Sequence, residues 1–366
     1  MKTKLLFLTL LGVITLGYAQ QTYVPDDNFE NYLETHDSNG NIVVLGHTTS
    51  MGNGIANDNY VTTANINTVT NLLLYNLNIA NLTGIEDFVA LAWLTCISNP
   101  ITSLDFSQNT ALTRLNCGSN QLTNLNVSQN TALTHLTCGS NQLTNLNVSQ
   151  NTALTEFSCT NNQLTSLNVS QNILLTHLFC SVNQLTSIDV SQNTELIRFH
   201  CTNNQLTNLD VSQNTALTEL YCYNNQLTSL DVTNGNNVNF NDFRTIYNPN
   251  LKCILVDDAV WSTINWVYID STSTFVNNQT ECDLLNNQHF EQIKFSVYPN
   301  PVSDILTVFS QEEVSYNLVS VYGQVLKTGN LQKGDNIFNI SNLSNGLYVL
   351  EVTTKQGVSA KKIFKE

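Results

Sequence analysis

The chain has 366 residues, of which 11% are charged, and carries a formal charge of -15 at neutral pH. Between residues 20 and 250 the only basic residues are Arg114, Arg198 and Arg244. So few cations cannot neutralise a row of phosphates, which excludes nucleic acid and anionic lipid as partners of that stretch.

Lys2 and Lys4 precede an apolar run from Leu5 to Leu16, and Gly17 and Ala19 place small residues where a signal peptidase cuts. Residues 1–19 therefore read as a secretory signal. The run is shorter than the roughly 18–20 residues a spanning helix needs, and no later apolar run is longer. No transmembrane segment is expected, and the mature chain is expected to work outside the cytoplasm. Residues 20–68 read as an N-terminal cap: Val24-Pro25-Asp26-Asp27-Asn28-Phe29 offers aspartates that can cap a short helix running through Tyr32 and Leu33.

From residue 69 to 252 the chain is repetitive. Blocks of 21 residues open at Leu91, Leu112, Leu133, Leu154, Leu175, Leu196 and Leu217, with weaker copies at Val69–Ile79 and Phe243–Asn248. In the second block Leu112, Leu115, Cys117, Leu122, Leu125 and Val127 are the inward set, worth on the order of 10 kcal/mol gross at ~1.5–3 kcal/mol per large side chain. Ordering the backbone of one block costs at least as much, at ~1–2 kcal/mol per residue. A lone block therefore cannot fold, and stability has to come from stacking on neighbours. The order Leu112, Leu115, Cys117, Asn120, Leu122 resembles the leucine-rich-repeat signature, with Cys in the third apolar slot. That resemblance implies a right-handed, mainly β solenoid with one short parallel strand per coil. Asn120, Asn141, Asn162, Asn183, Asn204 and Asn225 fall at the slot whose side chain bonds the backbone of the turn, at about 1 kcal/mol net per bond.

Comparing the blocks with one another separates scaffold from display. The segment N-Q-L-T-x-L-x-V-S-Q-N-T-A is nearly constant, whereas three columns beside the inward Leu and Cys vary. The first is Trp93, Arg114, His135, Glu156, His177, Arg198 and Glu219; the second is Thr95, Asn116, Thr137, Ser158, Phe179, His200 and Tyr221; the third is Ile97, Gly118, Gly139, Thr160, Ser181, Thr202 and Tyr223. Strand alternation places all three on one face, expected to be concave. Aromatics, histidines and both charge signs concentrate there, which suits recognition of a macromolecule, protein or glycan, through Trp93, Arg114, His135, Glu156, His177, Phe179, Arg198, His200, Glu219, Tyr221 and Tyr223. The competing reading is a structural or coat protein whose exposed slots drift.

No catalytic motif, cofactor loop or zinc-helix pattern occurs, so the chain reads as a non-enzyme needing no cofactor. His135, Glu156 and His177 stack on successive rungs, but a solvated mixed column explains them better than a metal site. His200 and Cys201 are adjacent on a strand and point to opposite faces. Asp105, Asn126, Asn147, Asn168, Asp189, Asp210 and Asp231 share a slot on the opposite side, where free exchange of Asn and Asp points to capping of local backbone N–H groups rather than to calcium. The Asn126-Val127-Ser128 sequon and its copies are by-products of the repeat.

Cys96, Cys117, Cys138, Cys159, Cys180, Cys201 and Cys222 all occupy the inward slot. Parallel strands hold their Cβ atoms ~4.8 Å apart, wider than the ~3.5–4.5 Å of a disulfide, so they are expected to be buried free thiols. Cys253 and Cys282 lie outside the period, in residues 253–294, which read as a closing cap and linker; a bond between them stabilises by about 3 kcal/mol.

Beyond Phe295 lysines return and the period stops. Short alternating stretches at Ile305–Phe309, Asn317–Val321 and Leu347–Thr353, with Gly and Asn turns, predict a small immunoglobulin-like β-sandwich. Tyr298-Pro299-Asn300-Pro301, Val321-Tyr322-Gly323-Gln324, Asn345-Gly346-Leu347-Tyr348 and Lys361, Lys362 and Lys365 near the C-terminus resemble the type A C-terminal sorting domain of type IX secretion. The resemblance implies that residues 295–366 engage the type IX machinery and that the protein is released or held at the cell surface.

Overall fold

The computed structural model describes residues 20–286, 295–354 and 357–366, so the signal sequence expected at residues 1–19 lies outside the described residues. Each repeat supplies one three-residue strand, and nine of them pair in parallel into a single sheet. From one edge to the other its strands are Asn71–Leu73, Trp93–Thr95, Arg114–Asn116, His135–Thr137, Glu156–Ser158, His177–Phe179, Arg198–His200, Glu219–Tyr221 and Asp242–Arg244. The register is strict, so that Phe157 pairs with Leu178 and Leu178 with Phe199 down the middle of the sheet. After each strand one residue takes a left-handed conformation, from Ser98 at φ 58° to Asn224 at φ 56°, and turns the chain away from the sheet. A second, four-stranded parallel sheet, of Asn208–Asp210, Ser229–Asp231, Cys253–Leu255 and Thr274–Val276, forms on the last coils, so parallel pairing continues beyond residue 252.

The inward set is buried as the block predicts: Leu112, Cys117, Leu122 and Val127 are fully covered, Leu115 and Leu125 nearly so. Two asparagine ladders stitch the coils together. In the first, Asn120 Nδ2 donates to Cys96 O (2.9 Å) and Cys117 O (3.0 Å), while its Oδ1 accepts from Ile101 N. The second was not anticipated. Asn109, Asn130, Asn151, Asn172, Asn193 and Asn214 are buried on the opposite side of each coil, and Asn130 Nδ2 donates to Phe106 O and Asn109 O, both at 2.9 Å. Its signal was the constancy of the Q-N pair, from Gln108-Asn109 to Gln213-Asn214.

The seven repeat cysteines are buried and free. Burial pushes their thiols up, Cys117, Cys159 and Cys222 to about 12, so the column is protonated and acts as small apolar packing. Cys253 and Cys282 are bonded to each other, with Cα atoms 5.4 Å apart.

The N-terminal helix spans Asp27–Thr35, and Asp26 caps it by accepting from Asn28 N and Phe29 N at 3.1 Å. The other oxygen of Asp26 accepts from Ala80 N and Asn81 N, which ties the cap to the first coil. At the far end Trp266 stacks on Phe243 with ring centroids 4.1 Å apart and closes the apolar column.

Residues 283–366 form a separate unit. Two antiparallel sheets share one core: Phe295–Tyr298, Ile305–Ser310 and Gly334–Asn339 make one, and Val325–Leu331, Val314–Ser320, Gly346–Thr354 and Gly357–Lys365 make the other. Among the described residues, no helix is long and apolar enough to cross a membrane.

Candidate binding face

Every strand of the long sheet reads outward, inward, outward. The middle residue is buried, and the first and third present side chains to one common face. Trp93 (43% exposed), Arg114, Glu156 and Arg198 stand clear of it, while His135, His177, Phe179, His200, Glu219, Tyr221 and Tyr223 are half-buried by one another. Trp93, Phe179 and Tyr221 therefore share one wall. The third column departs from expectation. Ser181 and Thr202 are buried, and so is Gly118. That column lies where the chain turns off the sheet and each residue is covered by the next coil: a Cβ on Gly139 would meet Thr160 O at 2.8 Å, and Thr202 N donates to Ser181 Oγ. Thr95, in the second column, is buried as well and accepts from Trp93 Nε1 at 3.2 Å.

The face is organised differently at its two ends. Near the N-terminal coils the contacts are pairwise: the Arg114 guanidinium lies 5.5 Å from the Trp93 ring centre, and His135 Nε2 sits 3.5 Å from Glu156 Oε1. From His177 onward they become continuous. Ring centroids follow one another from His177 to Phe179 (6.1 Å), Phe179 to His200 (4.8 Å) and His200 to Tyr221 (4.1 Å, 9° between planes). Arg244 then inserts its guanidinium between Tyr221 and Tyr268, at 4.9 and 5.0 Å.

A polar network fixes this stack. Glu219 takes His200 Nε2 at 2.6 Å and Arg198 Nε at 3.4 Å; Asp242 accepts from Tyr221 OH at 2.7 Å and from Arg244. The Arg244 hydrogen bonds hold the Asp242 carboxyl below its usual range, and burial together with the bond to Asp242 pushes Tyr221 up to about 12. Burial also lowers the His200 imidazole below 6.5, against the hydrogen bond and charge of Glu219. The sign follows: a group depressed in the folded state contributes stability above its unfolded value, lost as pH falls through the folded one. Replacing Glu219 by Gln removes an influence that raises the His200 value, so an NMR titration of the His200 ring should show it titrating at still lower pH; a shift upward would mean that Glu219 does not raise it.

Asp242, Arg244 and Tyr268 escaped the sequence reading. Asp242 and Arg244 occupy the slots of Glu219 and Tyr221 one rung later, so extending the columns into the weak copy at Phe243 finds them. Tyr268 joins through an irregular segment that pairs with Arg244 and carries no periodic signal. His135 pairs with Glu156 and His177 sits against Phe179; among the described residues no group of three or more His, Cys, Asp or Glu is placed to hold a metal. On the opposite side, Asn126 Oδ1 accepts from Ser128 N and Asp189 Oδ1 from Ser191 N, the turn capping expected of that slot.

In the C-terminal unit the sorting-motif residues come together. Asn300 Nδ2 donates to Lys362 O and its Oδ1 accepts from Phe364 N, both at 2.8 Å, while Tyr298 OH donates to Asp335. Lys361 lies over Phe295, Lys365 is buried beside Asp304, and Gly346 opens the strand that pairs with the last one.

Residues 296–366 match the family described as the secretion system C-terminal sorting domain. No curated protein matches the chain. Among solved structures, the functional domain of InlJ from Listeria monocytogenes, described as including a cysteine ladder, is 23% identical over 96% of this chain and 100% of its own, with a TM-score of 0.31. Internalin C2 of Listeria monocytogenes is 19% identical over 71% and 99%, with a TM-score of 0.44. A leucine-rich-repeat protein of Leptospira interrogans is 20% identical over 55% and 59%, at 0.40.

Proposed function

We propose that this chain, an exported leucine-rich-repeat solenoid with a C-terminal sorting domain, binds another macromolecule, protein or glycan, through the face of its nine-stranded sheet. The observation that carries the reading is the ordered stack from His177 to Tyr268, held by Glu219, Asp242 and Arg244 on a face whose surroundings are small amides and hydroxyls. Side chains whose rotamers are already locked lose little entropy on contact, which favours affinity. The sorting domain supports delivery to the cell exterior, at the surface or in released form, where such a face meets its ligand.

The test replaces Phe179, His200 and Tyr221 together by Ala and probes parent and variant on an array of glycans and extracellular proteins. The folded triple variant should lose the captures made by the parent, since central aromatics commonly contribute about 2 kcal/mol or more each. Unchanged capture would move the site off this face.

A further inference from the structure

We infer that the coil opening at Leu175 is the centre of a docking surface for a protein partner whose contact patch is apolar with a basic margin. This rests on the sheet-face reading and narrows it. The repeat supplies its own reference. The two residues before the opening leucine are Val89-Ala90, Thr110-Ala111, Thr131-Ala132, Thr152-Ala153, Thr194-Glu195 and Thr215-Ala216, but in this coil both are large and apolar, Ile173-Leu174. The left-handed slot after the strand holds Ser98, Ser119, Ser140, Asn161, Asn203 and Asn224, but here Val182. In the following coil Ile197 takes a slot filled by Thr113, Thr134, Thr155, Thr176 and Thr218.

All four substitutes are exposed, at 54%, 49%, 42% and 38%, and Phe179 lies on the strand between them. Between residues 91 and 235 the large exposed apolar side chains are these four and Trp93, so they cluster in two adjacent coils rather than scatter. Two of the substitutions are locally unfavourable. Val182 is β-branched at φ 56°, a conformation Ser and Asn adopt far more readily. Ile197 gives up the hydrogen bond that its threonine counterparts make to the preceding coil, such as Thr176 Oγ1 to Thr155 O at 3.0 Å. Slots free to drift would accumulate neutral changes; large apolar ones confined to two adjacent coils, two of them locally unfavourable, mark a working surface.

The chemistry selects the partner. Aliphatic side chains offer a sugar neither hydrogen bonds nor flat rings, and the rings of His200 and Tyr221 stack on each other. The charge selects as well. Glu195 takes the slot of Leu174 one coil later, Glu156 stands on the preceding rung beside the His135 ring, and Arg198, the nearby cation, is engaged with Glu219. A second copy would bring like charges together, whereas lysines or arginines around an apolar centre complement these carboxylates.

The test uses the full-length chain and a random peptide library displayed on phage. Peptides combining apolar side chains with Lys or Arg should be enriched, and should bind about tenfold or more weakly to the variant Ile173→Thr, Leu174→Ala, Val182→Asn, Ile197→Thr. Those four residues are the ones other coils hold in the same slots, so the variant keeps its fold, which a melting curve verifies. Binding retained by this variant but lost on replacing Phe179, His200 and Tyr221 by Ala overturns the present inference and leaves the sheet face standing. Binding retained by both overturns the two together. Enrichment of no such peptide, capture of neutral glycans in their place, or a dimer in sedimentation that the fourfold variant abolishes each overturns the assignment of a foreign protein partner.

Discussion

Replacing Asn162 by Ala should destabilise the solenoid by about 2–4 kcal/mol, and replacing Asn168 by Ala by about 1 kcal/mol or less. The two asparagines are six positions apart in one repeat, yet their side chains do unlike things. Asn162 is buried: Nδ2 donates to Cys138 O (3.1 Å) and Cys159 O (3.0 Å), and Oδ1 accepts from Leu143 N (3.0 Å). The two carbonyls keep the amides of Asn141 and Asn183, but the buried Leu143 N–H loses this acceptor, and an orphaned donor away from water costs more than an average bond is worth. Asn168 is exposed, and its Oδ1 accepts from Ser170 N at 2.9 Å, a bond that water replaces. Because a solenoid holds each coil only through its two neighbours, a defect at Asn162 weakens both interfaces at mid-length. Urea unfolding of the two variants checks the order; the reverse order would mean that the inward and outward slots have been exchanged.

The same contrast explains how far the amino-acid order could be read. Period-21 repetition states which slots are inward, because burial demands a large apolar residue there in every coil, and Leu115, Leu136, Phe157, Leu178 and Phe199 obey it. Constancy alone does not say what a polar residue does. Asn120 and Asn109 are equally invariant along the chain, but only the first matched a signature with a known role; the second required seeing that the turn carrying the Q-N pair folds inward to donate to the coil before it. On the face of the long sheet, slot position predicted which side chains share a wall but not how they engage. Thr95 lies under the indole of Trp93, and Arg244 reaches between two tyrosines, because side chains longer than the strand spacing cover one another along a parallel ladder. Tyr268 reaches the stack from an irregular segment, where no period exists to betray it.

Deleting residues 295–366 should leave the solenoid folded and remove it from the cell exterior. The physical ground is that the two units have separate cores. The apolar cluster from Val24 to Phe275 contains no residue of the C-terminal segment, and the cluster from Phe295 to Ile363 contains none of the repeats. The melting temperature of the repeats should therefore hold on truncation, because the apolar cluster that holds them includes no described residue of the removed segment. Export is different. The match to a sorting domain spans residues 296–366, and its motifs are assembled only when the unit folds, with Asn300 pinned to Lys362 O and Phe364 N on the final strand. Removing that unit takes away the segment that matches a sorting domain, and export should fail with it. Surface labelling and fractionation of cells expressing the full chain and the truncated form measure the outcome. Truncated protein should be stable, protease-resistant and held inside; labelling at the level of the full chain would show that the repeats carry their own export signal, and loss of the folded repeats would show that the two cores depend on each other.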